Sequence, residues 1–200
     1  MAVICNKDRE VIEAQAAIAA GEHNQPEIIR LVEKAAKGNL KAFGDLYSIF
    51  LDRIYRYVFY HIRDKMTAED ITEEVFIKAW KAIGSCRGKE KTFSSWLYRI
   101  AHNQLVNTLR SCHRITSLDL EKSADTADPK QEIELGIEYQ EVLKLINLLP
   151  ENQKQVIILK FIEGLDNEEI SRITHKSEGA IRVTQMRALA TLREKLSEEG

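Results

Sequence analysis

Arg182 and Arg187 stand near the start of a segment, 166–195, that couples bases suited to phosphates and guanine edges with an apolar stripe able to hold them in place. Between 172 and 195, six bases (Arg172, Lys176, Arg182, Arg187, Arg193, Lys195) oppose two acids (Glu178, Glu194), a local charge of about +4. A phosphate surface suits such a segment. Its elements follow from spacing. Asp166 sits three positions before Glu169, a capping-box pattern, and Ile170 and Ile173 recur one turn apart, which predicts a short helix. Thr174 to Lys176 carry no helix-period apolar residues. Ser177 then caps a second predicted helix with Ile181, Ala188, Leu192 and Leu196 on one stripe. That leaves Glu178, Arg182, Val183, Gln185, Met186 and Arg187 outward at the helix start, the end that enters a major groove in a helix-turn-helix. Two packed helices with an ordinary solvated charged face would show much of the same pattern, so DNA is a candidate partner on this segment alone.

A second chemistry lies upstream. From Cys86 to Arg114 there are six bases (Arg87, Lys89, Lys91, Arg99, Arg110, Arg114) against Glu90, about +5. A helix predicted over 94–110 turns Leu97, Ile100, Ala101, Leu105 and Leu109 inward and leaves Trp96, Arg99, Asn103, Val106 and Arg110 along another face. Cations interleaved with an aromatic hold single-stranded nucleic acid by following its backbone and stacking its bases. The competing reading makes Trp96 and Tyr98 core aromatics. A third surface is acidic. Thr67 is the expected cap of a helix over 68–83 whose Ile71, Val75, Ala79 and Ile83 face inward. Asp70, Glu73, Glu74 and Ile77 lie opposite, with Phe76 and Trp80 on the shoulder. Acids beside exposed apolar groups suit a protein-docking face, although a plain solvated face fits too.

The supporting elements read as helices throughout. One is expected near 27–37, and Gly38-Asn39 leads into another over 40–63 with Phe43, Leu46, Tyr47, Phe50, Ile54, Tyr57, Val58 and Ile62 as its apolar face. No alternating strand and no repeat is found, so the predicted fold class is all-α: two small helical domains joined by a flexible linker. Residues 115–141 hold eight acids against Lys122 and Lys130, about −6, and their Ser, Thr, Asp and Ala content marks that linker. The 200 residues, 44% hydrophobic and 30% charged, suit a soluble protein. They contain no apolar run long enough to cross a bilayer and no secretory leader, so a cytoplasmic location and no membrane insertion are expected. Cys5, Cys86 and Cys112 are odd in number and scattered, against a disulfide framework, and Cys112-His113 lacks a second ligand pair for a metal. Neither a metal nor a cofactor is expected. With five scattered histidines and no phosphate loop or nucleophile motif, an enzyme acting on a small-molecule substrate is not expected either.

The runs AEDITEEVFIKAW (68–80), TFSSWLYRIAHNQLVNTLR (92–110) and LLPENQKQVIILKFIEGLDNEEISRITHKSEGAIRVTQMRALATLREKL (148–196) resemble, in order and spacing, the small extracytoplasmic-function (ECF) subgroup of the sigma-70 family of bacterial transcription initiation factors. The resemblance covers about 27–112 and 137–196. It implies an N-terminal extension over 1–25, sigma region 2 over 26–113, a linker over 114–136 and sigma region 4 over 137–197. It further implies that Asp70, Glu73, Glu74, Phe76, Ile77 and Trp80 dock on bacterial core RNA polymerase. Arg87, Lys89, Lys91, Trp96, Arg99, Asn103 and Arg110 would then capture the minus-ten element of promoter DNA, while Ser177, Glu178, Arg182, Val183, Met186 and Arg187 read the minus-thirty-five element. An anti-sigma factor is an expected inhibitor. Asn107, where many members have Asp, Ser111-Cys112-His113 in place of an Arg-rich run, and Val183-Thr184-Gln185 in place of Ser-Arg-Leu imply an altered promoter preference. The alternative is a stand-alone helix-turn-helix regulator binding operators as a dimer. It would have no use for the acidic docking face, and the chain shows no dimerising heptad.

Overall fold

The computed structural model describes residues 25–86, 93–116 and 144–198, and every regular element among them is helical. The chain enters through α1 (Gln25–Ala35), which buries Ile28, Val32 and Ala35. Gly38 reverses it with φ 89°, a left-handed conformation that costs glycine little. Asn39 then caps α2 (Leu40–Ile62), its side chain accepting from the Ala42 amide at 3.0 Å. The inward stripe of α2 is Ala42, Leu46, Phe50, Ile54, Tyr57 and Val58, much as its periodicity predicts, while Tyr47 stays exposed and Phe43 and Ile62 half-buried.

Arg63 ends α2 in the left-handed region, φ 61°, and its amide bonds back to the Phe59 carbonyl. The chain therefore restarts at once. Asp64, not Thr67, caps α3 (Lys65–Ala82), accepting from the Thr67 amide at 2.8 Å. The Thr67 side chain and amide together hold the Asp64 carboxyl below its usual range. The cap expected at Thr67 is thus three residues late, because the helix cannot wait once α2 has closed. Beyond α3 comes a 3-10 turn (Ile83–Cys86), and then α4 (Phe93–Thr116), which runs six residues past its expected end and through the expected start of the linker at 114.

The second lobe begins with a helical turn over 144–147 and α5 (Glu151–Ile157). Its next turn widens into a π-helical segment (Ile158–Ile162), closed by the Glu163 amide on the Ile158 carbonyl at 3.0 Å. Gly164, φ 71°, turns the chain away. Then follow α6 (Asn167–Thr174) and α7 (Glu178–Glu198). The two lobes share one continuous core, in which Phe50, Tyr57, Leu97, Tyr98 and Leu105 of the first meet Val156, Ile158, Leu159, Ile170, Ile173 and Ile181 of the second. Among the described residues no helix is long and apolar enough to cross a membrane. The expected N-terminal extension and most of the acidic linker lie outside the described residues.

Candidate nucleic-acid interface

The start of α7 is held by local contacts that the sequence specifies. Asp166 and Glu169 form the capping box of α6 in both directions, at 2.7 and 3.0 Å. His175 makes the turn at φ 57°, and the Ser171 hydroxyl donates across it to the Lys176 carbonyl at 2.6 Å. Ser177 accepts from the Ala180 amide at 3.2 Å, so its hydroxyl serves as the expected cap. Ile181 and Ala188 anchor α7 from beneath, fully buried. Leu192 is half-buried and Leu196 is exposed, so the predicted stripe fades as α7 outruns the helices it packs on.

Above that anchor Glu178, Arg182, Val183, Met186 and Arg187 are all exposed. Arg182 donates to Glu178 at 3.2 Å, a solvent-screened pair one turn apart. Gln185, read as outward, is half-buried and donates to Asn167 at 2.9 Å, fastening α7 to the start of α6. Rigid support beneath and polar groups above make a surface that can enter a groove without reordering.

On α4, Asn103 and Arg110 are exposed and Trp96, Arg99 and Val106 half-buried, with Trp96 leaning on Phe93 at 5.6 Å between ring centres. Tyr98 is a fully buried core aromatic, as the competing reading of this helix has it. Arg87, Lys89 and Lys91 lie outside the described residues. On α3, Asp70, Glu73, Glu74 and Ile77 are exposed together. Glu74 is held by Lys78 and by Gln104 of α4. Phe76 departs from expectation: it is 5% exposed and packs edge-on against Tyr47 at 4.6 Å. Trp80 is half-buried against Phe43. Tyr47, exposed beside Phe76, therefore belongs to this face, and the reading of α2 as simply core-facing passes over it.

Between the lobes runs a polar seam unforeseen in the sequence. Glu163, its side chain fully buried, accepts two bonds from Arg56 at 3.1 Å and one from the Tyr98 hydroxyl at 2.5 Å. Arg53 completes the set with a bond to the Glu163 carbonyl at 3.0 Å and its guanidinium above the Phe50 and Tyr98 rings. Burial, then the Glu163 charge, pushes the Tyr98 hydroxyl well above its ordinary range, so it stays a donor. Farther along, His61 meets Glu151 at 2.5 Å, Gln155 meets His102 at 2.6 Å, and Ser95 donates to Glu169 at 3.0 Å. Burial disfavours the charged form of both imidazoles, His102 pushed down to about 4 and His61 also below its usual value. Burial raises the Glu151 carboxyl, but the His61 bond and neighbouring positive charges outweigh it and leave the group below its usual range. These partners stand 53 to 110 positions apart, beyond any helical period. The one available signal is Glu163 itself, an acid closing the run 156–162, which is apolar but for Lys160.

Residues 46–115 match the family description Sigma-70 region 2, and residues 139–192 match Sigma-70, region 4. The chain is also 31% identical over 185 residues to the ECF RNA polymerase sigma factor BldN of Streptomyces coelicolor, covering 90% of this chain and 70% of that protein. The chain belongs to the ECF sigma factors of the sigma-70 family. This sigma factor is likewise 30% identical over 182 residues to the ECF sigma factor SigW of Bacillus subtilis, covering 84% of the chain and 96% of SigW. Its fold is that of CnrH, solved in complex with the cytosolic domain of CnrY: TM-score 0.67, 22% identity, 87% of this chain and 99% of that one. The sigma factor RpoE, solved with the anti-sigma factor NepR from Bartonella quintana, has the same fold: TM-score 0.66, 21% identity, 79% and 98% covered. As an ECF sigma factor the protein is a transcription initiation factor acting with RNA polymerase, and the stand-alone regulator is set aside.

Proposed function

We propose that this sigma factor divides promoter recognition between its lobes: sigma region 2 over 26–113, a tether over 114–136 and sigma region 4 over 137–197. The α3 face, Asp70, Glu73, Glu74 and Ile77 with the edge of Trp80, docks on core polymerase, and Phe76 supports it from below. Trp96, Arg99, Asn103 and Arg110, with Arg87, Lys89 and Lys91, capture the minus-ten strand. Opening a base-pair step costs on the order of 1.4 kcal/mol in stacking, which capture of extruded bases offsets at roughly 1–3 kcal/mol each. Ser177, Glu178, Arg182, Val183, Met186 and Arg187 read the minus-thirty-five duplex. The work is binding rather than covalent catalysis and takes place in the cytoplasm, where polymerase and promoter are found.

One observation carries this reading: Glu178, Arg182, Val183, Met186 and Arg187 are exposed together on a helix start whose underside, Ile181 and Ala188, is fully buried. An arginine bidentate to guanine discriminates by roughly 1–3 kcal/mol, so loss of two costs most of the specific signal. Run-off transcription with purified core polymerase on a genomic promoter library tests it. Start sites used by the wild type are expected to vanish with Arg182→Ala plus Arg187→Ala. Unchanged start sites would refute the assignment of α7.

Two proteins of this fold were solved with an inhibitor or with the cytosolic domain of a partner, which supports an anti-sigma factor for this chain as well. The exposed Ile77, Val183 and Met186 give such a protein apolar footing on the same faces that polymerase and DNA need. A pull-down from unstressed cells is expected to recover it. Recovery of polymerase alone counts against it.

A further inference from the structure

The start of α7 rests on two apolar points that belong to different clusters. Ile181 sits in the main core with Ile170 and Ile173, while Ala188, two turns on, packs with Leu149 and Ile157. Between them on the same side fall 184 and 185, the i+3 and i+4 places where an apolar stripe would continue, and both are polar and half-buried. Thr184 donates its hydroxyl to the Ala180 carbonyl at 2.8 Å, a bond within α7. Gln185 reaches across instead. Its Nε2 donates at 2.9 Å to Oδ1 of Asn167, the first residue of α6. Asn167 stands on a firm base, because Asp166 beside it is tied to Glu169 in the capping box.

Two apolar contacts on one line do not stop a helix from rolling about that line. Ile181 and Ala188 lie within about 20° of each other around the axis and about 10 Å apart along it. Burial of apolar surface has no direction, and Ala188 offers only a methyl group. Gln185 lies off the line, about 40° from Ile181 and about 60° from Ala188, and its bond has a narrow window of distance and angle. A roll of about 10° carries groups 5–6 Å from the axis through about 1 Å. An N–H···O bond spans only about 2.7–3.2 Å, so that roll is enough to lose a bidentate contact with guanine.

We infer that Gln185 is a positioning residue for minus-thirty-five recognition: its bond to Asn167 sets the roll of α7, and with it the aim of Arg182 and Arg187 at base edges. The inference rests on the assignment of α7 to that duplex. Specificity and stability then part company at this position. Gln185→Leu places an apolar side chain on the supporting stripe and lets the half-buried Asn167 amide turn to water, so the lobe keeps its stability while α7 loses its angular reference.

The test uses the full chain bound to core polymerase. Its probe is the promoter fragment most used in run-off transcription, together with single base-pair exchanges across the minus-thirty-five element. Discrimination is the ratio of product from the parent fragment to product from each exchange. For Gln185→Leu that ratio is expected to shrink by about fivefold or more at guanine positions, with product from the exchanged fragments largely kept. Its urea midpoint is expected to stay close to that of the wild type. Asn167→Ala removes the acceptor from the other helix, is expected to show the same loss, and serves should Gln185→Leu fail to fold. Asn167→Gln combined with Gln185→Asn rebuilds a bond of the same span and is expected to restore most of the ratio. Glu168→Gln, which disturbs an exposed pair with Arg172 on the outer face of α6, is expected to leave it unchanged. A contact that only stabilised the lobe would lower the urea midpoint and cut product from every fragment in equal proportion. That outcome overturns the inference, as do undiminished ratios in both single variants or a reciprocal exchange no better than either. Failure of the promoter reading shows in the wild type: if it discriminates no base pair of the element, the assignment of α7 falls and the positioning role with it. A discriminating wild type beside equally discriminating variants removes Gln185 alone.

Discussion

The two lobes bury different side chains, and the difference separates what holds each together from what holds them to each other. The first is filled by aromatics: Phe50, Tyr57, Phe93 and Tyr98 are buried, with Phe50 edge-on to Phe93 at 5.4 Å and Tyr57 edge-on to Tyr98 at 5.5 Å. The second buries Val156, Ile158, Leu159, Ile170, Ile173 and Ile181, while its phenylalanine, Phe161, stays exposed. A lobe of about 55 residues buries a smaller share of its surface than a larger domain. This one completes its core against α2 and α4 of its neighbour. Damage to the first lobe should therefore unfold the protein, whereas damage along the seam should first alter how the lobes associate.

The sharpest way to break that contrast is Phe50→Ala. Removal of a fully buried ring beneath Arg53 and against Phe93 is expected to cost about 3–5 kcal/mol, read as a lower urea midpoint. A cost under 1 kcal/mol would mean that the aromatic lobe is no better anchored than the aliphatic one. A milder probe is pH. His102 is pushed down to about 4 from 6.5, and His61 also lies below its usual value, so the joined lobes bind fewer protons than separated ones would. A lowered histidine pKa favours the joined lobes above about 6.5 and penalises them as pH falls from there toward 4. Glu151, below its usual value, works in the same sense, losing its contribution as it protonates. His61, His175 and Lys176 add like charge around His102, and Glu151 opposes them. Energy transfer between fluorophores placed at the exposed Lys41 of α2 and Glu194 of α7 should fall severalfold from pH 7.5 to 5.5, while helical circular dichroism holds. Transfer independent of pH would remove the imidazoles from the account.

Smaller still, Asp166→Ala should cost about 1 kcal/mol, since it deletes one arm of the capping box and leaves the core intact. Its mark should be confined to the second lobe, as faster amide exchange in α6. Least of all, Arg172→Ala breaks an exposed pair with Glu168 and should cost no more than about 0.5 kcal/mol in the same denaturation experiment. A larger loss would show that the outer face of α6 contributes more to the lobe than its exposure allows.

What could be read in the sequence was local. The Gly38-Asn39 turn, the Asp166/Glu169 box, the Ser177 cap and the stripes of α2 and α3 each depend on residues within four positions of one another, and the structure contains them, with Tyr47 alone of the α2 stripe turned out to solvent. Errors arose where a local rule met a neighbour. Thr67 is a fair cap by its own pattern, yet Asp64 took the position because Arg63 had just closed α2. Phe76 lies beside the exposed stripe on a helical wheel, but Tyr47 of α2 covers it. Leu196 keeps the helical spacing where nothing remains to pack against. The surface set at the start of α7 was visible because it follows one helix. The seam was not, because Arg53, Arg56, Tyr98 and Glu163 are each unremarkable in their own segment and acquire meaning only when two distant segments meet.

The widened turn over 158–162 has a genetic corollary. Substitutions that return these five residues to regular α winding, without changing their number, would turn position 163 away from α2 and α4. Such a change would loosen the partnership of the lobes while leaving every exposed side chain at the start of α7 as it was. How the lobes sit together and what the start of α7 presents are thus written in different parts of the polypeptide, and inheritance can adjust one without rewriting the other.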